Sequence, residues 1–155
     1  MIQMPYKHSP ANVPTLYLTA TDTTIGFVTQ DAARLDAVKG RPPHKHYIRA
    51  VDSLATLQRH TRVPPRHRNR LRRARRTTFI LPDGRSWRVI HEPRHQQLIS
   101  EMGGWAYTTS ANRSGELYDE AWARSVADRV IEPLEAQAAP STILRINHRT
   151  LKKLR

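Results

Sequence analysis

Apolar residues fall into short segments separated by turn residues, and their spacing switches repeatedly between the periods of strand and helix. Val, Leu, Tyr and Thr over Val13–Ala20 predict a strand, which Thr21 to Gly26 breaks. Asp31 is placed to cap a helix through Val38, with Ala32, Leu35 and Val38 on one face and Gly40 and Pro42-Pro43 as stops. Tyr47 to Val51 reads as a strand, and Asp52 or Ser53 as the cap of a helix containing Leu54 and Leu57 that Val63-Pro64-Pro65 ends. The stretch Arg66 to Arg76 is compatible with a helix, although Leu71 is its only large apolar residue. Thr77–Leu81 and Ser86–Ile90 form a hairpin signal around Asp83-Gly84. A helix over 94–102 closed by Gly103-Gly104, a strand over 105–109, an amphipathic helix over 118–131 with Trp122, Val126 and Val130 on one face, and a strand over 142–146 before a basic tail complete the pattern. This alternation predicts an α/β domain: a twisted, mixed, open sheet with flanking helices.

The 155 residues suit one domain over 13–155, preceded by an irregular arm over 1–12 rich in proline. With no cysteine, disulfides, thiolate metal sites and cysteine nucleophiles are excluded, and nothing calls for an oxidising compartment. The apolar runs are too short to span a bilayer and the N-terminus lacks a signal-peptide core, so the expectation is a soluble cytoplasmic protein without membrane partners. Charge changes the picture most. Of the net +13, nine charges come from Arg59, Arg62, Arg66, Arg68, Arg70, Arg72, Arg73, Arg75 and Arg76, an insertion-like segment (59–76) with no acid between Asp52 and Asp83. Such a field attracts phosphates, nucleotides or nucleic acid. Aromatics at 6% are too few for a strongly base-stacking surface.

Three loops place small polar or basic residues after a strand or at a helix end, where open α/β sheets gather ligands. They are Thr21-Asp22-Thr23-Thr24-Ile25-Gly26, Lys39-Gly40-Arg41-Pro42 and Thr109-Ser110-Ala111-Asn112-Arg113-Ser114-Gly115. Lysine offers a point charge, arginine a fork of donors, and hydroxyl and amide oxygens suit a hydrated magnesium, a combination fitted to a triphosphate. Each loop alone is ordinary turn chemistry.

In order along the chain, Thr21-Asp22-Thr23…Gly26, Lys39-Gly40-Arg41-Pro42, Thr78-Phe79-Ile80-Leu81-Pro82, Arg88-Val89, Thr109-Ser110-Ala111-Asn112…Ser114-Gly115 and Pro140-Ser141-Thr142-Ile143 resemble the YrdC/YciO family, whose best-known members are threonylcarbamoyl-AMP synthases. The most specific part is the pair of Lys-x-Arg and Ser-x-Asn motifs, and the likeness runs from about Pro14 to Arg145. The resemblance implies a YrdC-like fold and an enzyme that joins ATP, L-threonine and bicarbonate, releasing pyrophosphate. A separate tRNA threonylcarbamoyl transferase complex would then carry the group to tRNA. Lys39, Arg41, Ser110 and Asn112 are the implied catalytic set. Thr21, Thr23, Thr78, Arg88, Thr109, Ser114, Thr142 and Arg145 join them in binding ATP and substrate. Magnesium would arrive with the ATP phosphates, near Ser110 and Asn112, and no tightly bound cofactor is expected.

Two further patterns compete. The arginines from Arg66 to Arg76 suit RNA backbone contact, so the alternative is a YrdC-like protein binding tRNA or double-stranded RNA with weak or no synthase activity. His91-Glu92-Pro93-Arg94-His95 matches a zinc-protease string, but Pro93 argues against both histidines sharing a helical face, and a strand end entering a helix is the simpler reading. His44 and His46 read as surface groups, and Trp122 as core.

Overall fold

The computed structural model describes residues 2–3, 14–42, 46–136 and 138–155. In chain order its elements are β1 (Ile2–Gln3), β2 (Tyr17–Ala20), β3 (Ile25–Thr29), α1 (Ala32–Lys39), β4 (Ile48–Val51), α2 (Leu54–His60), a 3-10 turn (Pro65–His67), α3 (Arg68–Arg73), β5 (Thr77–Ile80), β6 (Ser86–Val89), α4 (Pro93–Glu101), β7 (Trp105–Ser110), α5 (Glu120–Val126), β8 (Arg129–Glu132), β9 (Thr142–Ile146) and β10 (Leu151–Lys153). This is the mixed-sheet α/β fold that the alternating pattern predicts.

Two compact units divide the chain: unit 1 holds residues 1–47 and 107–138, unit 2 residues 48–106 and 139–155. In unit 1 the strands run β1-β8-β2-β3-β7, with β2 and β8 parallel and the other neighbours antiparallel. Its core gathers Leu16, Leu18, Phe27, Leu35, Ala123 and Val130, with Trp122 meeting Phe27 edge-on at 5.8 Å. Trp122 is half-buried: one side packs against this core, as its helical spacing suggests, while the Arg113 guanidinium lies 4.8 Å from its ring. In unit 2 the order is β4-β6-β5-β9-β10, with parallel pairs β4/β6 and β5/β9. Val51, Leu54, Leu57, Leu71, Phe79, Trp87, Val89 and Ile146 form its core.

Local chemistry explains most boundaries. Asp31 accepts a hydrogen bond from Arg34 N to start α1, and Ser53 does the same for Thr56 N in α2. The hairpin joining β5 and β6 turns through Gly84 at φ 82°, and Phe79 faces Trp87 across the pair. Leu71 is 1% exposed and packs into the unit 2 core, which supplies the contact that one apolar residue among arginines left undefined.

Four expectations need correction. The helix over 118–131 stops at Val126, because Ala127 turns extended and Val130 and Ile131 pair in parallel with Leu18 and Thr19. The arginine run over 66–76 is a 3-10 turn followed by a six-residue helix, and Ala74 already has extended dihedrals. The basic tail is not free, since Leu151–Lys153 zips antiparallel to Ile146–Leu144. Of the arm over 1–12, Ile2 and Gln3 pair with Glu132 and Ile131, while the remainder and His44 lie outside the described residues. No helix among the described residues is long and apolar enough to cross a membrane.

Candidate functional site

Lys39 owes its position to the way α1 ends. Leu35, fully buried, fixes the helix on the unit 1 core, and Gly40 at φ 63° adopts the left-handed cap that a side chain resists, its N–H donating to the Asp36 carbonyl. The last helical residue is thus Lys39, only 5% exposed. Its Nζ donates to the carbonyls of Ser110 at 2.7 Å and Asn112 at 2.6 Å, while its own carbonyl accepts from Ser114 N at 3.0 Å. Asn112 closes the loop on itself, its Nδ2 donating to the carbonyls of Arg113 and Glu116, both at 2.9 Å. The Lys-x-Arg and Ser-x-Asn motifs, some seventy residues apart in the chain, therefore meet in one unit.

Arg41 lies beside them. Its guanidinium sits 4.5 Å above the Tyr47 ring and Nη2 donates to the His46 carbonyl at 3.0 Å, while Tyr47 donates its hydroxyl proton to Asp36 at 2.7 Å. The cation–π contact and the His46 bond fix the position of the guanidinium, and that bond uses only one of its donor nitrogens. Burial, and secondarily the positive charge of Arg41, lower the Lys39 pKa from the usual lysine range to about 8. At neutral pH it is still mostly an ammonium. Its bonded partners are two neutral carbonyls, and among the described residues no carboxylate pairs with it.

The first loop is a tight turn. Thr21 Oγ1 donates to the Thr24 carbonyl at 2.6 Å and accepts from Thr23 N at 3.2 Å, and both threonines are buried. Strand β3 then passes β7 so closely, with Phe27 opposite Thr109, that a Cβ on Gly26 would lie 2.8 Å from the Thr109 carbonyl oxygen and 2.9 Å from Thr21 Cγ2. Glycine is required there because the obstructing atom is main chain. Gly26→Ala is expected to destabilise by about 1–3 kcal/mol in urea unfolding, since β3 must move off β7.

Asp128 organises the same unit. Its carboxylate, 7% exposed, accepts Leu16 N at 2.8 Å and meets Arg34 through both oxygens, the Nη2 to Oδ1 contact being 2.6 Å. The start of β2 and the middle of α1 are thereby bound to one group. Neither Asp128 nor Arg34 is visible from local pattern, because its partner is distant in sequence. Tyr47 also escapes sequence reasoning, although an aromatic six residues after Arg41 is the signal that could have flagged it.

Unit 2 holds the other expected residues. Thr78 is fully buried and shares a 2.8 Å hydroxyl contact with Ser141, with Arg88 Nη1 at 3.4 Å from Thr78 Oγ1. Arg155 donates to the Ser141 carbonyl at 2.9 Å, and Thr142 N donates to the Arg76 carbonyl at 3.0 Å. Ser141 belongs to the Pro140–Ile143 string but carries no role in the sequence reading. Arg145 is exposed and lines a groove of about 470 Å³ with Ile80, Pro82, Asn147 and Lys152.

The zinc-like string dissolves into capping. Glu92 is the N-cap of α4, its carboxylate accepting from His95 N at 2.7 Å, with Pro93 in the first turn and His91 outside the helix. His46 is exposed, and Arg49 stands 5.6 Å over the Trp87 ring. Among the described residues no group of three or more His, Asp or Glu is placed to hold a metal ion.

No protein-family model and no curated protein matches the sequence. Solved structures share its fold. P. abyssi Sua5 complexed with L-threonine matches with a TM-score of 0.79 at 20% identity, over 91% of this chain and 50% of that one. E. coli YciO matches at 0.71 and 17%, over 92% and 82% of the two chains. The MTH1692 protein of Methanobacterium thermoautotrophicum matches at 0.68 and 21%, over 100% and 91%. The chain spans about half the length of the Sua5 structure, and at these identities the likeness establishes the fold, that of the YrdC/YciO-type structures.

Proposed function

We propose, with that fold as premise, that the chain is a threonylcarbamoyl-AMP synthase using ATP, L-threonine and bicarbonate, its product serving threonylcarbamoyladenosine modification of tRNA. The observation that carries this reading is the junction of Lys39 with the Ser110–Ser114 loop, with Arg41 two residues further along the chain. The Lys39 ammonium stands against a loop held in a fixed shape, a guanidinium of different geometry follows at Arg41, and among the described residues no carboxylate pairs with Lys39. Such preorganised charge is what phosphoryl transfer needs.

The chemistry runs in two steps. The threonine amine attacks bicarbonate carbon to give a carbamate, with loss of water. A carbamate oxygen then attacks the α-phosphorus of ATP, forming one P–O bond while the bond to pyrophosphate breaks in line, and the leaving group takes both electrons. Lys39 and Arg41 face the negative charge that grows on pyrophosphate. Magnesium belongs to the nucleotide substrate, and the Ser110 hydroxyl and the Asn112 amide oxygen are neutral oxygens suited to meet it or its water. Thr21 and Thr23, in the turn before β3, and Thr109, at the end of β7, would line the amino-acid and nucleotide pockets. No dedicated general base is required, since carbamate is already an anion.

The test is to incubate the protein with ATP, magnesium, bicarbonate and threonine while following pyrophosphate and the adenylate. Threonine-dependent release of pyrophosphate supports the reading. Intact ATP, in a protein that binds tRNA, would instead match an RNA-binding protein without synthesis, and threonine-independent turnover would point to another acceptor.

The lowered Lys39 pKa gives this reading a pH signature. The ammonium form, dominant below pH 8, is the one that pairs with phosphate, so ATP affinity should be full below that pH and fall above it. Bound triphosphate pulls the pKa back up, so binding at pH 8 should take up about half a proton. Calorimetry in buffers of different ionisation enthalpy reads this directly. Lys39→Arg, permanently charged, should show neither the uptake nor the fall.

A further inference from the structure

The groove that Arg145 lines lies outside the function proposed above. It opens where β5 and β9, a parallel pair in unit 2, reach their carboxyl ends, the place where open α/β sheets present ligand crevices. Ile80, Leu81, Pro82 and Ile146 give it an apolar lining, Arg145 and Lys152 a charged one, and among the described residues no acid lines it. Thr78 and Ser141, the hydroxyl pair described above, lie toward the amino ends of the same two strands.

Stability does not account for the two cations. Arg145 and Lys152 face each other in the β9/β10 ladder, and both are exposed. Like charges directly opposite destabilise a strand pair. Among the described residues neither of them meets a carboxylate. Asp83, in the neighbouring hairpin turn, is already engaged, since its carboxylate accepts from Thr61 Oγ1 and from Arg85 N, each at 2.7 Å. Ile80 pairs with Arg145 on the other side, so one row across three strands sets an apolar side chain beside two cations.

Both rims are held in shape. Gly84 N donates to the Leu81 carbonyl at 2.9 Å and Leu81 N to the Arg85 carbonyl at 3.0 Å, which closes the turn between β5 and β6. In the turn between β9 and β10, Asn147 Oδ1 accepts from Arg149 N at 2.9 Å and Thr150 N at 2.7 Å, while the Asn147 carbonyl meets His67 Nε2 at 3.0 Å. Two more donors of lining residues, Asn147 Nδ2 and the Thr150 hydroxyl, make no hydrogen bond among the described residues.

We infer that this groove is a docking site for a partner protein, which lays across it an extended segment of alternating acidic and apolar side chains. Charge complementarity selects the acids: two cations and two neutral donors, with no acid of this chain between them, are matched to carboxylates. The aliphatic lining selects the rest, because phosphate or another small inorganic anion would leave Ile80, Leu81 and Pro82 uncovered. No aromatic ring lines the groove for a nucleic-acid base to stack on. Successive side chains of an extended segment point to opposite sides, so alternation offers both chemistries to one groove. With neighbouring strands about 4.8 Å apart, about three or four extended residues cross from β5 to β10. Rims already shaped lower the cost of ordering the complex. The inference stands independently of the synthase reading.

The experiment titrates the full chain, by fluorescence anisotropy at about 150 mM salt, with labelled acetyl-Val-Asp-Leu-Glu-Val amide. One control peptide replaces the acids by Asn and Gln, a second replaces the apolar residues by Ser. Lys152→Glu should weaken the acidic peptide about tenfold or more. It should not lower the melting temperature, because the new carboxylate faces Arg145 with opposite charge. Arg68→Glu makes the same change of net charge outside the groove and should leave affinity within about twofold, as screened distant charges do. Equal losses in the two variants would reduce binding to the overall field of a chain of net charge +13 and overturn the site. Equal affinity for either control peptide, or no binding at about 1 mM acidic peptide, would overturn it as well. An RNA oligomer that displaces the peptide and is itself lost in Lys152→Glu would assign the groove to nucleic acid and overturn the protein partner. Adenylate formation should be the same in Lys152→Glu as in the wild type, so a failure of the synthase reading is a separate result.

Discussion

Lys39→Met is expected to lower threonine-dependent pyrophosphate release by about 10²–10³-fold, the usual loss when one preorganised donor to a developing anion is removed. Methionine keeps most of the buried stem, so the change isolates the ammonium. Stability should fall far less. Losing the two bonds to the Ser110 and Asn112 carbonyls costs about 1–3 kcal/mol at most, and relief from burying a charge offsets part of it. Urea unfolding and steady-state assays on the same preparation separate the two effects. A variant as active as wild type would remove Lys39 from the site, while one that loses activity only in proportion to its unfolded fraction would make the lysine a strut.

Asp128→Ala should produce the largest loss of stability, about 3–5 kcal/mol, because it strands the Arg34 guanidinium and leaves Leu16 N without its acceptor. Arg34 is 25% exposed, which places the expectation toward the lower end of that range. Asp128→Asn retains an oxygen for Leu16 N but not the charge, so the difference between the two variants reports the ion pair. A loss below about 1 kcal/mol in Asp128→Ala would class the pair with surface salt bridges. The consequence reaches the site: α1 is anchored through Arg34 and ends on Lys39, so loosening one end should also weaken ATP binding.

How far the sequence could be read depended on the range of the interactions involved. Capping by Asp31 and Ser53, the left-handed Gly40 and the Asp83-Gly84 hairpin are decided within four residues, and each is visible in the string of letters. The segment over 118–131 shows the opposite. Trp122, Val126 and Val130 keep helical spacing, yet the chain leaves the helix because Asp128 is claimed by Leu16, 112 residues away, and Val130 by the edge of β2. The tail over 151–153 hid its strand because lysines are poor strand formers and only pairing with β9 explains it.

The candidate site divides in the same way. Meeting of Lys39 with Ser110 and Asn112 was foreshadowed by motif order, but its form was not: the ammonium is bonded to main-chain carbonyls, and carbonyls leave no trace in composition. Thr78 and Arg88 were singled out while Ser141, the hydroxyl that Thr78 touches, was not.

The division of the chain into two discontinuous units bears on how it is made. During translation, unit 1 stays incomplete until β8 emerges, although Tyr17–Ala20 left the ribosome more than a hundred residues earlier. Unit 2 waits longer still, since β5 keeps an open edge until Thr142–Ile146 arrives to pair with it. Such late, distant closures slow folding and leave the nascent polypeptide a client for chaperones.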